Sequence, residues 1–465
     1  MKKQFLFLLL IGVLSLLFFF GTFGLLQNGK IYRNTLGVVS QNYEHTGGWS
    51  DFNISKVSKP YLPIEDSSYL NWDAAIYNCI SQNLYTNEEA CYGKVRPAFF
   101  PLFPLLWKVT QASPLVISIL NYLMFIISIA ILVTYLLPGN KRLVITTFII
   151  LITLPTSVIY LIPYSESLFL LCAAVAVVGM LRDRYSLYFI GFLLMSMVRP
   201  ATIFVLLAIV VTEVFIFIRN KGNYRIIRHS LLKLLPFLIG YLTVWIIQYL
   251  SSGSWTAFVD AQEHWAGKIQ WIHEISDWSV EGFGMNTFAI FFVAIPALAY
   301  LFYIGFTMYS KKQLLFNIDE KSKRGYLLLI SLFYLVGIFV FTLLTSGGSL
   351  HSFFRFTICS PFFYIAALIA ISNFPKLSIK FETKMFGVSF LLLCLFVFVV
   401  GYGGSRFQFS FFGLFMLIVT SFYLLTRRFL SVRSDTILLF LIVVFNTIWN
   451  TYMLNIFFSN GWIFT

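Results

Sequence analysis

The sequence predicts an all-α, polytopic membrane protein. Three observations carry this: 59% of its 465 residues are hydrophobic, only 11% are charged, and the apolar residues gather into long runs. Soluble domains carry roughly 25% charged residues, so a soluble globular enzyme, a disordered chain and a secreted disulfide scaffold are all excluded. The runs lack the alternation of barrel strands, and backbone groups in lipid must be satisfied within each segment, which favours helices.

Apolar runs fall at about 4–26, 113–137, 143–162, 166–181, 185–199, 201–218, 231–250, 285–308, 326–345, 356–372, 385–402, 407–426 and 436–457. Most are near the roughly 20 residues a spanning helix needs, so about 13 transmembrane helices are expected in one domain, 1–465. The first run follows Lys2 and Lys3 and resembles a signal peptide. It is longer than a typical signal core and lacks a small-x-small cleavage site, so a retained helix is expected.

Charge placement sets the expected orientation. With a cytoplasmic N-terminus, alternate connections on the cytoplasmic side hold 22 of the 33 basic residues, among them Lys141, Arg142, Arg182, Arg184, Lys323 and Arg324. Seven more lie in one long loop, where the positive-inside rule is weak. This bias accounts for the formal charge of +14, so no nucleic-acid partner is expected. Acidic residues show the reverse bias.

Two extracytoplasmic loops, 27–112 and 252–284, stand out by length and hold 12 of the 19 acidic residues. Loops on a rigid scaffold commonly carry function. In the first, Trp72, Ile76, Cys79 and Ile80 recur at helical spacing, with Asp73 and Tyr77 one turn apart on a neighbouring face. The pattern predicts a short helix against the membrane with Asp73 turned toward a cavity. The alternative is that Asp73 caps the helix start. Further on, Pro97, Pro101 and Pro104 are expected to forbid a regular helix, in an interfacial segment rich in aromatics. Cys79 and Cys91 share this loop, and whether they pair is left open. In the second loop, Trp255, Phe258, Gln262, Trp265 and Ile269 follow a helical period, predicting a second interfacial helix. His264 and His273 fit no zinc spacing and read as polar interface residues.

Three ionisable residues are expected at the outer ends of spans: Glu166, Arg199 and Arg355. Such groups are costly at membrane depth and face a cavity or one another, and mutual pairing of Glu166 with an arginine is the structural alternative. Neither a phosphate loop, a dinucleotide fingerprint nor a zincin motif occurs, so no metal and no cofactor is expected.

Asn71-Trp72-Asp73-Ala74 with Tyr77, Tyr85 and Glu88, followed by Ala98-Phe-Phe-Pro-Leu-Phe-Pro104, resembles the GPI mannosyltransferase II-like (PIG-V-like) family of GT-C multi-pass glycosyltransferases. Tyr164-Ser-Glu166-Ser, Met197-Val-Arg199, Ala261-Gln262-Glu-His-Trp265 and Arg355-Phe follow in the family's order, so the resemblance spans about 70–365. The chain departs from the pattern at Leu84, where glycine is expected, and in a longer stretch between Glu88 and Ala98. The resemblance implies transfer of a sugar, mannose in the family, from a polyprenyl- or dolichyl-phosphate donor to a hydroxyl acceptor, with inversion. It also implies Asp73 as the general base and Glu88 and Tyr77 on the acceptor side. Arg355 and Arg199 would then meet the donor phosphate, with Trp72, Glu166, Gln262 and Trp265 in support.

The expected partners are a lipid-linked sugar donor, a glycan, glycolipid or protein acceptor, and membrane lipid. A lipid-linked sugar flippase would instead show midplane charges or paired broken helices, whereas the informative charges here gather at one edge. A polysaccharide polymerase or ligase would leave Trp72-Asp73 and Ala98-Phe-Phe-Pro101 unexplained. The sequon Asn53-Ile-Ser55 does not fix the compartment. A bacterial inner membrane is favoured over the endoplasmic reticulum because no retention signal is visible.

Overall fold

The computed structural model describes residues 2–26, 65–86, 93–137, 141–219, 225–265, 280–310, 322–345, 350, 352–373, 410–426, 432–458 and 463. The run at 385–402, Asn53, Glu88, Cys91 and His273 lie outside them, as do the side chains of His264 and Trp265. The described residues contain helices and no strand, as the composition predicts.

Among the described residues, six helices are long and apolar enough to cross a membrane. They are α1 (Lys2–Leu26), α4 (Pro114–Leu136), α9 (Arg225–Ser252), the continuous pair α11 (Val280–Ala289) and α12 (Ile295–Ser310), α13 (Lys323–Thr345) and α17 (Val432–Phe458). A wider π-turn over Ile290–Ala294 joins α11 to α12. Shorter apolar helices fill the bundle: α6 (Glu166–Leu181), α7 (Tyr185–Ser196), α8 (Thr202–Arg219), α15 (Pro361–Asn373) and α16 (Ser410–Thr426). At its centre α4 packs on α1, α5 (Lys141–Ile152), α6 and α15, and Phe125, Ile129 and Leu132 are fully buried there.

Two expectations about where helices run need correcting. The run 143–162 is not one span. Helix α5 stops after 12 residues, about 18 Å at 1.5 Å per residue, and the chain then turns through Pro155 into a 3-10 segment, Ser157–Leu161. Proline removes a backbone donor and clashes with the preceding turn, so the apolar run continues while the helix cannot. The second correction runs the other way. Despite its prolines, the first loop does form a regular helix, α3 (Leu102–Thr110). Pro104 sits in its first turn, where backbone N–H groups have no intrahelical acceptor to lose.

The rest of the first loop is tied down. Asp66 accepts from the backbone N–H of Leu115 at 3.2 Å, at the start of α4, and Asn71 donates to the carbonyl of Phe457 at 2.7 Å, at the end of α17. Between these anchors and α3 lies α2 (Asp73–Asn83), with Asp73, Ala74, Ile76, Tyr77 and Ile80 all buried. It is therefore packed on two faces rather than lying with one face in the interface. In the second loop the expected helix is present as α10 (Ala257–Trp265), but Ala257 and Ala261 form its most buried face, and Trp255 stays half-exposed while stacking on Tyr249. Small residues let α10 close on the turn at Gly93–Ala98, where Phe258 meets Phe100. The two long loops are thus packed together.

The pairing of α6 with α7 sets the position of the charged residues. A Cβ at Gly179 would lie 2.3 Å from the backbone nitrogen of Tyr188, and one at Gly191 2.6 Å from that of Ala176. Only glycine permits this approach, the small-residue packing expected of membrane helices. The hairpin brings the start of α6 and the turn after α7, residues 197–201, to the same end of the bundle. Its opposite end carries the ion pairs Lys323–Asp183, Arg142–Asp435 and Lys233–Glu213.

Leu84, which ends α2, has φ 52° and ψ −132°, a region that glycine enters without cost and a branched side chain does not. Leu84→Gly should therefore be more stable than Leu84→Ala by about 1 kcal/mol, read from thermal unfolding in detergent. Equal stabilities would mean that the left-handed turn carries no strain.

Candidate active site

The sequence elements that place Asp73, Glu166, Arg199 and Arg355 lie far apart in the chain, and each is held by an identifiable device. Asp73 is the first residue of α2. The residue before it, Trp72, has φ 54° and ψ −129° and gives the helix no side-chain cap. A bulky residue there costs about 1–3 kcal/mol, and such strain tends to gather at functional sites. Asp73 itself does not cap the helix. Its carboxylate turns inward, and Oδ2 accepts from Nη1 of Arg355 at 2.7 Å.

Glu166 begins α6. The segment before it is non-helical and buried, and Asn121 of α4 satisfies it by donating to the carbonyls of Ile162 and Tyr164 at 2.7 and 2.8 Å. Arg199 stands in the turn 197–201, which Thr202 closes by donating to the Met195 and Arg199 carbonyls. Arg355 lies in α14 (Phe353–Thr357), entered through Ser352 at φ 57°. Asn286 of α11 accepts from the backbone N–H of Phe354 at 2.6 Å and fixes that short helix.

These four side chains form one ion network. Arg355 divides its guanidinium, with Nε on Glu166 Oε1 and Nη1 on Asp73 Oδ2. Arg199 donates from Nη1 to the same Glu166 oxygen. Side-chain exposure is 11% for Asp73 and for Arg199, 6% for Arg355 and 2% for Glu166. The cluster is therefore buried, with Glu166 at its centre and Asp73 at its edge. Two arginines and two carboxylates sum to zero charge, which is the condition for keeping ions out of water. Aromatic rings line it: Arg355 lies 4.7 Å from the ring centre of Tyr164 and Arg199 5.7 Å from that of Phe356. Glu166 Oε2 is buried and has no hydrogen-bond donor among the described residues.

Tyr77 completes the rim. Its hydroxyl is 2.7 Å from Ser165 Oγ, and its ring packs edge-on against Phe99 and Phe103 of the proline-rich segment. Burial pushes its phenol above the usual range, so it stays protonated and acts through hydrogen bonding. Trp72 packs at the same end of the core. Gln262 is half-buried on α10 and takes no part in the cluster's hydrogen bonds. Cys79 is disulfide-bonded. Among the described residues no group of three or more His, Cys, Asp or Glu residues could hold a metal ion.

Sequence reasoning missed Asn121, Asn286 and Ser165. Asn121 and Asn286 sit in apolar runs without a motif around them, whereas Ser165 lies inside the Tyr164-Ser-Glu166-Ser segment but was given no role of its own. A lone buried amide in a membrane helix is the one signal that could have found the first two, since an apolar span has no other use for it. Comparison of the chain with protein-family models, with curated proteins and with solved structures finds no match.

Glu166→Gln removes the carboxylate shared by both arginines and should cost about 3–5 kcal/mol, the usual penalty for breaking a buried ion network. Asp73→Asn, at the better-solvated edge, should cost less than half as much. Thermal unfolding in detergent orders the two, and a larger loss at Asp73 would contradict this description of the centre and the edge.

Proposed function

We propose that the chain is an integral-membrane glycosyltransferase of the GT-C kind. It transfers a sugar, mannose by the motif resemblance, from a polyprenyl- or dolichyl-phosphate donor to a hydroxyl acceptor, with inversion. The observation that carries this reading is the convergence of Asp73, Glu166, Arg199 and Arg355, four residues singled out by separate motifs, into one buried cluster at one end of an apolar helical bundle. A structural ion pair alone needs two charges. Four charges, two left-handed residues beside them and an unsatisfied carboxylate oxygen suit a site that receives a polar ligand.

The chemistry follows from the residue types. An acceptor hydroxyl is a weak nucleophile until a positioned carboxylate removes its proton during attack, an effect of typically 10²–10⁴-fold. Asp73 supplies that carboxylate. The hydroxyl oxygen attacks the anomeric carbon, its proton passes to Asp73, and the bond from that carbon to the phosphate oxygen breaks with its electron pair. The donor phosphodiester, a monoanion, thereby becomes a polyprenyl phosphate dianion while Asp73 becomes neutral, so total charge is unchanged. The guanidinium groups of Arg355 and Arg199 stabilise the charge that develops on the phosphate, and arginine's planar fork suits this better than lysine. A single displacement inverts the anomeric centre. Glu166 orients both arginines, and its free oxygen Oε2 is a ready acceptor for a sugar hydroxyl. The motif resemblance assigns Glu88 and Tyr77 to the acceptor side, and gives Gln262 and Trp265, on the second loop's helix, a supporting role. No metal or cofactor takes part in this scheme.

Sidedness is part of the same proposal. The N-terminus is cytoplasmic and the cluster faces away from the cytoplasm. Basic residues concentrated at the opposite end, including Arg142, Arg182 and Lys323, support this orientation. So does the bonded state of Cys79, since disulfides persist in oxidising compartments. Nucleotide sugars stay in the cytoplasm, whereas a lipid carrier presents its phosphate at either surface. The membrane is a bacterial inner membrane in preference to the endoplasmic reticulum.

The purified protein, with chelator present, should transfer mannose from synthetic polyprenyl-phosphate mannose to hydroxyl acceptors of its own membrane extract. Asp73→Asn should lower that rate by at least about 10²-fold while the folded fraction holds. Efficient transfer from GDP-mannose without any lipid carrier, or near-normal activity in Asp73→Asn, would overturn the assignment.

A further inference from the structure

The network described above sets a conflict within the proposed reaction. Arg355 is assigned to the donor phosphate, yet its Nη1 is already taken by Asp73 Oδ2 at 2.7 Å. A carboxylate held by a guanidinium in a buried site is a poor base, because taking a proton forfeits the ion pair. As it stands, the structure holds both groups in a mutually blocked state.

Of the two carboxylates that Arg355 meets here, one is exchangeable and the other is not. Glu166 is 2% exposed and receives both arginines on one oxygen, so displacing it would take a carboxylate from two cations at once. Asp73 receives Arg355 at the rim of the cluster, with 11% of its side chain exposed, on a helix that belongs to the first loop rather than to a span. An incoming phosphate oxygen can replace Asp73 on Nη1 by exchanging one anionic oxygen for another. Arg355 stays paired throughout, and Nε stays on Glu166.

We propose that Arg355 locks Asp73 until the donor phosphate takes its place, so that donor binding releases the base and must precede productive acceptor binding. The inference rests on the glycosyltransferase reading above and adds a binding order to it. The order has a chemical use. Without donor, Asp73 cannot activate a hydroxyl or water, so the resting site is silent. After transfer, Asp73 passes its proton to bulk water at the exposed rim, and the restored carboxylate competes with the polyprenyl phosphate product for Arg355 and expels it.

The test is the affinity of the full-length purified protein for polyprenyl monophosphate without sugar, in lipid nanodiscs. Asp73→Asn removes the competitor for Arg355 and should bind polyprenyl monophosphate about tenfold more tightly than the native chain, the scale expected for freeing one charge-assisted hydrogen bond. Asp73→Ser, which suits a first helical turn, should shift affinity the same way and serves if the asparagine variant does not fold. Loss of like-charge repulsion alone would tighten binding with or without Arg355, so the comparison is repeated in an Arg355→Gln background, where release of the lock can give no gain. Equal or weaker binding in both variants, the same gain in the Arg355→Gln background, or no binding by any form, overturns the lock. The two readings separate cleanly. A native chain that transfers mannose while the variants bind no tighter loses the lock alone. Tighter binding in the variants that requires Arg355, with no transfer by the native chain, keeps the lock and loses the glycosyltransferase assignment.

Discussion

Mutual neutralisation of four buried charges is the constraint on which the rest of the site depends. Moving an isolated ion from water into an apolar interior costs several kcal/mol even after relaxation. Asp73, Glu166, Arg199 and Arg355 can stay buried only if all four arrive together. That requirement fixes the register of α6 against α7, the inward turn of α2 and the placement of α14. Gly179 and Gly191 let α6 and α7 pack closely, because a Cβ at either position would meet the backbone of Tyr188 or Ala176.

Delivering charged residues to one end of an apolar bundle requires breaks in the helices, and each break exposes backbone groups that lipid cannot satisfy. Buried amides meet this need. Asn121 serves the segment before Glu166 and Asn286 the helix of Arg355. Asn450 serves the interruption after α5 by accepting from Val158 N and donating to the Leu154 carbonyl. The strained residues Trp72 and Ser352 belong with these features. They turn the backbone where no glycine is present, immediately before the helices that carry Asp73 and Arg355.

Much of this was legible beforehand. Apolar runs and sparse charge gave the helical membrane class, and the odd placement of Glu166, Arg199 and Arg355 within such runs marked them as partners. The motif around Asp73 marked it as well, although periodicity alone allowed a capping role. What was not legible follows from local geometry. Hydropathy does not feel Pro155, so 143–162 reads as a span. A count of prolines does not reveal that Pro104 falls in a first turn. The small face of α10 was hidden because Trp255 and Phe258 dominate a hydrophobic reading while Ala257 and Ala261 make the closest packing. Nor does sequence say which acid shares which arginine, since that depends on angles between four helices.

The central claim is that Asp73 and Arg355 form a directly coupled pair within the network. A double-mutant cycle on thermal unfolding, using Asp73→Asn, Arg355→Gln and the combination, measures that coupling without reference to any substrate. Residues in one buried ion network show interaction energies of about 0.5–3 kcal/mol, and the pair is expected in the upper half of that range, with the double variant more stable than the sum of single losses predicts. Additivity to within about 0.3–0.5 kcal/mol would mean that the two side chains do not meet, and the account of the site would fall with it.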